Sequence, residues 1–192
     1  MSEKSEKFLD DIDSDKIEKI NDILNMLLEN SPHKHSYNIP KVVINRTKDP
    51  FGIDNTEEIR CSGAYDFKEN IIYISDFLVR KNDYLSNYIQ KGTVCSDDFR
   101  STSMHEIFHW QDAETFRKEK GIFRVSSFED IQLYEKYCQE NAKENIDKLS
   151  EQGYNFIGCS EYSLMEYVQY NKPDESWAEF RTQIFIEKGV VL

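Results

Sequence analysis

The chain has 192 residues, which suits one domain better than two. Hydrophobic residues make up 39% of the sequence and aromatic residues 13%, so a wholly disordered chain is excluded. The formal net charge of −12 disfavours nucleic acid and anionic membranes as partners, because both repel an acidic surface. We therefore expect a single domain over residues 1–192.

The N-terminal half predicts a helix followed by short strands. Residues 1–13 are charged and poor in apolar side chains, which predicts a flexible tail. Apolar side chains then recur at helical spacing, and β-branched runs and a turn cluster follow. The predicted elements are a helix over 15–30, a strand over 41–45 and a hairpin with strands at 63–65 and 71–75 around a turn at 66–70.

The C-terminal half is predicted to be mostly helical. Helices are expected over residues 76–90, about 97–120, 128–149, 160–170 and 173–188, with a short strand or loop at 154–157. A helix, a few strands and then several helices, without an internal repeat, indicate an α+β fold.

The sequence favours a reduced, cytoplasmic setting. No run of about 18 apolar residues could cross a bilayer, and the charged start lacks the apolar stretch of a secretory signal. No two cysteines form a C-x-x-C pair, which favours free thiols over a zinc knuckle. A processed or non-classically released protein stays an alternative. The cysteines are Cys61, Cys95, Cys138 and Cys159.

An H-E-x-x-H motif lies within the helix predicted over 97–120. Its histidines, His105 and His109, stand one helical turn apart on the same face, so two imidazole nitrogens can meet one Zn²⁺. Glu106 lies about 100° around the helix, where its carboxylate can reach a water on the metal without binding the metal. Two half-buried histidines without a metal are the alternative interpretation.

A catalytic zinc site needs a third protein ligand and an open position. The other histidines, His33 and His35, lie in a polar loop and are expected at the surface. Glu175 and Glu179 stand at i and i+4 on the last predicted helix. One of them can ligate zinc while the other accepts a hydrogen bond from a ligand histidine. The alternative is an ordinary acidic face near a helix start.

Two segments together resemble a known family. His105-Glu-Ile-Phe-His-Trp-Gln-Asp112 and Glu175-Ser-Trp-Ala-Glu-Phe180 resemble the gluzincin zinc peptidases, in the short branch that contains the anthrax lethal factor catalytic domain and the Pro-Pro endopeptidases. The resemblance covers roughly residues 60 to 187. It implies a zincin-like fold and a Zn²⁺ cofactor held by His105, His109 and Glu175. It also implies Glu106 as general base and Glu179 as the partner of a ligand histidine.

The same resemblance implies a tyrosine, shortly before Glu175, that donates to the oxyanion. Tyr167 is our first choice and Tyr170 the second, while Tyr162 also precedes the ligand. Ordinary packing is the alternative for each of them. Asp112, two helical turns beyond His105, is expected either to brace the site or the following loop, or to be a plain surface carboxylate.

Zincins bind a peptide substrate as an extra strand at the edge of the sheet. By resemblance, the substrate backbone is expected along Ala64–Tyr65 or along Ile71–Ser75, with Ala64, Tyr65 and Tyr73 as contact residues. A purely structural hairpin is the alternative.

The sequence thus predicts a zinc-dependent peptidase that acts on a peptide or protein. Peptide deformylase also has H-E-x-x-H, but its cysteine ligand lies in a different motif from the one around Cys95. A catalytically inactive or structural zinc-binding interaction protein, for example one encoded by a phage, is the second alternative. A purely structural site has no use for Glu106, which favours the enzyme.

Overall fold

The computed structural model describes residues 3–45, 63–75, 99–154 and 160–189. Over these ranges the fold is mixed α+β and mostly helical, with five helices and a small three-stranded sheet, which confirms the predicted class. The elements are α1 (Glu3–Glu29), β1 (Lys41–Asn45), β2 (Gly63–Asp66), β3 (Ile71–Ser75), α2 (Phe99–Lys120), α3 (Phe128–Glu151), α4 (Glu161–Tyr170) and α5 (Asp174–Lys188).

The predicted elements agree closely with those observed, apart from the first. Helix α1 begins at Glu3, so residues 3–13 are helical where a flexible tail was expected. Apolar residues are few among these mostly charged positions, so the periodic signal is weak there, which explains the difference. Several predictions lie outside the described residues: the helix over 76–90, most of the segment 154–157, Cys61, Cys95 and Cys159.

The sheet has the strand order β1-β3-β2. Strand β1 runs parallel to β3, with Val42 opposite Ile72, and β2 runs antiparallel to β3, with Ala64 opposite Tyr73. The β2–β3 turn ends at Asn70, whose φ of 55° asparagine tolerates better than most residues. Strand β3 therefore has a partner on each side, and β2 lies at an edge of the described sheet.

The main core lies between α1, the sheet and α2. Fully buried apolar side chains from these three layers pack together, and burial of each contributes roughly 1.5–3 kcal/mol. They include Ile20 and Leu27 of α1, Ile72 and Ile74 of β3, and Ile107, Phe108 and Trp110 of α2. The helix that carries the H-E-x-x-H motif is thus anchored on its apolar side.

His33 is buried, which corrects the expectation that it lies at the surface, whereas His35 is exposed as predicted. The Nε2 of His33 lies 3.0 Å from the hydroxyl of Thr115, and its Nδ1 lies 3.1 Å from Nζ of Lys118. Its ring also meets Trp110 edge-on. The loop that carries His33 is polar in sequence, yet it packs against α2. The spacing of apolar residues cannot predict such a tertiary contact.

None of the helices within the described ranges combines the length and apolarity needed to cross a membrane.

Candidate metal centre

Helix α2 brings the two motif histidines together. His105 and His109 are one turn apart, and their Nε2 atoms lie 3.0 Å from each other. The rings meet edge to face, with centroids 4.7 Å apart. Both side chains are mostly buried, with 15% and 13% exposure, so they remain reachable from solvent.

The third member of the cluster comes from the first turn of α5. Oε2 of Glu175 lies 3.1 Å from Nε2 of His105, and Oε1 lies 3.5 Å from Nε2 of His109. Two ligand atoms at ~2.0–2.1 Å from a tetrahedral zinc lie about 3.3 Å from each other. The observed separations match that value closely. In the described part of the chain, His105, His109 and Glu175 form a group of side chains that could hold a metal ion.

Glu175 and the two histidines stabilise one another's charged forms, whereas the histidines repel each other. Burial disfavours a charged imidazole, but the Glu175 carboxylate outweighs it and raises the pKa of His109 to about 9. The pKa of His105 is also raised, because its hydrogen bond to Glu175 acts against burial. Burial opposes ionisation of Glu175, yet the histidines hold the pKa of that carboxyl well below its usual range. A divalent cation would therefore compete with protons for the imidazoles.

Glu106 lies beside this cluster without belonging to it. Its residue is 5% exposed, and burial raises the pKa of its carboxyl. The carboxyl interacts electrostatically with His105, His109 and Glu175, and it accepts a hydrogen bond from the backbone N–H of Tyr65 in β2. A buried carboxylate next to the ligands, but not among them, has the placement that a general base requires.

Asp112 is buried, so it is not the plain surface carboxylate that was one of the alternatives. The guanidinium of Arg181 donates to both of its carboxylate oxygens and to the carbonyl oxygen of Phe108. Arg181 is also stacked between the rings of Phe108 and Trp177. Sequence reasoning missed Arg181. The available signal was that Arg181 is the single arginine of α5.

Glu179 does not bond a ligand histidine, which corrects the role that the resemblance implied. Its carboxylate accepts hydrogen bonds from the backbone N–H of Ser160 at 2.7 Å and from the hydroxyl of Ser163 at 2.6 Å. The Ser160 hydroxyl donates to it as well. These donors lie at the start of α4, where the helix dipole favours an anion. Glu179 therefore attaches α4 to α5.

Tyr167 belongs to an apolar packing cluster, which supports ordinary packing rather than the expected oxyanion role. Its ring packs against side chains of α3 and α5 that include Ile146 and Trp177. Burial, followed by the nearby Asp147 of α3, raises the pKa of its hydroxyl. Tyr170 is 59% exposed. The side chain of Tyr162 lies outside the described part of the structure.

The expected substrate contacts on the hairpin need two corrections. Tyr73 lies on β3, which is paired on both sides, so a substrate strand cannot add there. The hydroxyl of Tyr65 donates to Asn70 and accepts from Arg117, so both of its hydrogen-bond partners belong to the protein itself. Ala64 is buried in β2, the strand at the edge of the described sheet.

Asp174 is a second acidic group at the start of α5 that sequence reasoning treated only as a partner of the helix dipole. Its carboxyl interacts electrostatically with His109, and burial raises its pKa. One of its oxygens is buried and has no hydrogen-bond partner among the described residues. Asp174 is thus a carboxylate near a candidate ligand with a free acceptor position.

No family model, curated protein or solved structure matches this chain. The functional interpretation therefore depends on the two motifs and on the geometry of the cluster.

Proposed function

We propose that this chain is a zinc-dependent peptidase with a zincin-like fold, in which His105, His109 and Glu175 hold Zn²⁺. One observation carries the proposal: two imidazole nitrogens 3.0 Å apart and the carboxylate of Glu175 converge from two helices, with each nitrogen within 3.5 Å of one carboxylate oxygen, close to the spacing of ligands around a tetrahedral zinc. Two neutral imidazoles and one carboxylate are also a ligand set typical of catalytic zinc.

Three ligands, rather than four, favour catalysis over a structural site. Structural zinc sites are closed by a fourth protein ligand, whereas catalytic sites keep one position for water or substrate. The candidate group comprises three residues, counting only the part of the chain that the structure describes. Buried Glu106 beside the ligands has no function in a purely structural site, and so it supports the peptidase over the inactive alternative.

The proposed reaction is hydrolysis of a peptide bond with Glu106 as general base. When bound, Zn²⁺ supplies Lewis-acid chemistry that acidifies water and polarises a carbonyl group. Glu106 takes one proton from the attacking water while the oxygen of that water bonds to the carbonyl carbon. The C–N bond then breaks, and Glu106 passes the proton to the leaving amine.

The sheet supports the same proposal. Strand β2 runs antiparallel to β3 and lies at an edge of the described sheet, against the helix that carries the histidines. Edge strands beside an active-site helix are where zincins bind extended peptides, so a peptide or protein is the proposed partner.

The test is digestion of a peptide library by the zinc-loaded protein, before and after chelation. We expect cleavage that is lost on chelation and restored by Zn²⁺. Glu106→Gln should keep the metal and lose turnover, because general-base catalysis contributes roughly 10²–10⁴-fold. Cleavage that persists in Glu106→Gln, or no cleavage by the zinc-loaded wild type, would contradict the proposal.

A further inference from the structure

Strand β2 approaches helix α2 closely at Gly63. A Cβ atom placed on Gly63 would lie 2.7 Å from Cγ2 of Thr102, 2.9 Å from Cγ of Glu106 and 3.0 Å from Oε1 of Glu106. Separations below 3.0 Å are essentially never seen for a real Cβ, so a larger residue at position 63 would displace the side chain of Thr102 or Glu106.

The same strand contacts Glu106 through a hydrogen-bond donor. The backbone N–H of Tyr65 donates to the Glu106 carboxylate. A donor on a strand that is paired with β3 is held more rigidly than a side-chain donor, because its backbone cannot rotate freely. Tyr65 is itself fixed, since its hydroxyl bonds Asn70 and Arg117.

Glu106 would otherwise be the least constrained group of the site. It is not one of the metal ligands, and its side chain has three rotatable bonds, which a base must hold in one conformation to meet the attacking water. Gly63 and the Tyr65 amide, both on β2, contact Glu106 and remove much of that freedom.

We propose that Gly63 and the backbone N–H of Tyr65 form a backbone clasp that orients the Glu106 carboxylate for proton transfer. The inference deepens the proposed function and rests on it. Gly63 and Tyr65 are positioning residues, since both act through Glu106. The clasp also means that the N–H of Tyr65 is committed to the enzyme and is not offered to a substrate strand.

Gly63→Ala tests the clasp, and Gly121→Ala is its matched control. A Cβ on Gly121 meets no atom within 4 Å, but φ is +69°, so the control is strained without touching Glu106. Both variants should lose some stability. Only Gly63→Ala should lower kcat, by about 10- to 100-fold, because a misplaced catalytic group costs that much. KM and the affinity for Zn²⁺ should change little.

A merely structural role of Gly63 gives a different pattern. Gly63→Ala would then lower the zinc affinity and kcat together, or it would lower kcat no more than Gly121→Ala does. Either result would overturn the clasp.

A second measurement keeps the clasp testable if Gly63→Ala fails to fold. In the ¹⁵N–¹H spectrum of the full chain, replacing Glu106 by Gln turns a charged acceptor into a weaker neutral one. The Tyr65 amide proton should then move upfield and exchange faster, while the amides of Val42 and Ile44 in β1 stay unchanged. A Tyr65 amide that behaves like those two controls would overturn the clasp.

The two proposals fail in distinguishable ways. A Tyr65 amide that responds to Glu106→Gln, in a protein that cuts no peptide, supports the contact and refutes the peptidase. Cleavage that requires Glu106, with a Tyr65 amide that does not respond, refutes the clasp alone.

Discussion

Arg181 of α5 and Asp112 of α2 form a buried ion pair in which the guanidinium donates to both carboxylate oxygens. The pair joins the helix that carries His105 and His109 to the helix that carries Glu175. Both partners are more than nine-tenths buried. The separation of the three candidate ligands therefore depends on a contact that touches none of them.

Removing one partner of this pair should destabilise the protein strongly. Arg181→Met leaves Asp112 buried without its counter-ion, which costs about 3–5 kcal/mol. The double variant Arg181→Met with Asp112→Leu removes both charges and should recover much of that loss. Denaturant unfolding of the metal-free protein measures both values. Equal stability of the single variant and the wild type would contradict the bracing role.

Glu179 should stabilise α4 without affecting the metal. Glu179→Gln weakens the hydrogen bonds from Ser160 and Ser163, so we expect a loss of about 1–3 kcal/mol in the free energy of unfolding. The affinity for Zn²⁺ should be retained. A histidine-bonding role would instead cost about 10- to 100-fold in metal affinity. Competition with a chromophoric chelator distinguishes the two outcomes.

Tyr167→Phe should leave kcat nearly unchanged, because the Tyr167 ring packs in the apolar cluster that contains Ile146 and Trp177, and Asp147 of α3 lies near its hydroxyl. An oxyanion donor would behave differently, since its removal costs about 10²–10³ in kcat. Steady-state kinetics on one cleaved peptide measures the effect. A loss of that size would restore the role that the resemblance implied.

His33 should make the protein less stable in acid. Burial, followed by the nearby Lys118, lowers the pKa of His33 below its ordinary value near 6.5. The unfolded chain then binds the proton more readily, so stability is full above about pH 6.5 and falls as the pH drops below it. The slope for one proton is at most about 1.4 kcal/mol per pH unit.

The measurement is the free energy of unfolding of metal-free wild type and His33→Gln between pH 5 and pH 8. Groups shared by both proteins cancel in the difference, which isolates His33. The gap between the two proteins should narrow as the pH falls. A gap that is independent of pH, or that widens in acid, would contradict the assignment.

Local patterns predicted much of this fold and part of its site. The H-E-x-x-H spacing fixes the face of His105 and His109 once α2 forms, because helical geometry alone determines it. Glu175 was expected as a ligand only through the resemblance, and the structure brings it to both imidazoles.

The errors concern contacts that tertiary packing determines. The i, i+4 spacing of Glu175 and Glu179 suggested that both residues serve the metal site. In the structure, the start of α4 lies against Glu179, which accepts a hydrogen bond from Ser160 instead. His33 belongs to a polar loop, yet α2 covers it. The partnership of Arg181 with Asp112 joins residues far apart in the sequence, and no periodicity reports such a pair.

Titration of the metal-free chain with Zn²⁺ tests the central claim most directly. The account predicts one Zn²⁺ per chain, bound more weakly as the pH falls because protons compete for the imidazoles. His105→Ala, His109→Ala and Glu175→Ala should each weaken binding severely, while Glu106→Gln should bind as the wild type does. A wild type that binds no zinc, or zinc binding that survives Glu175→Ala, would contradict it.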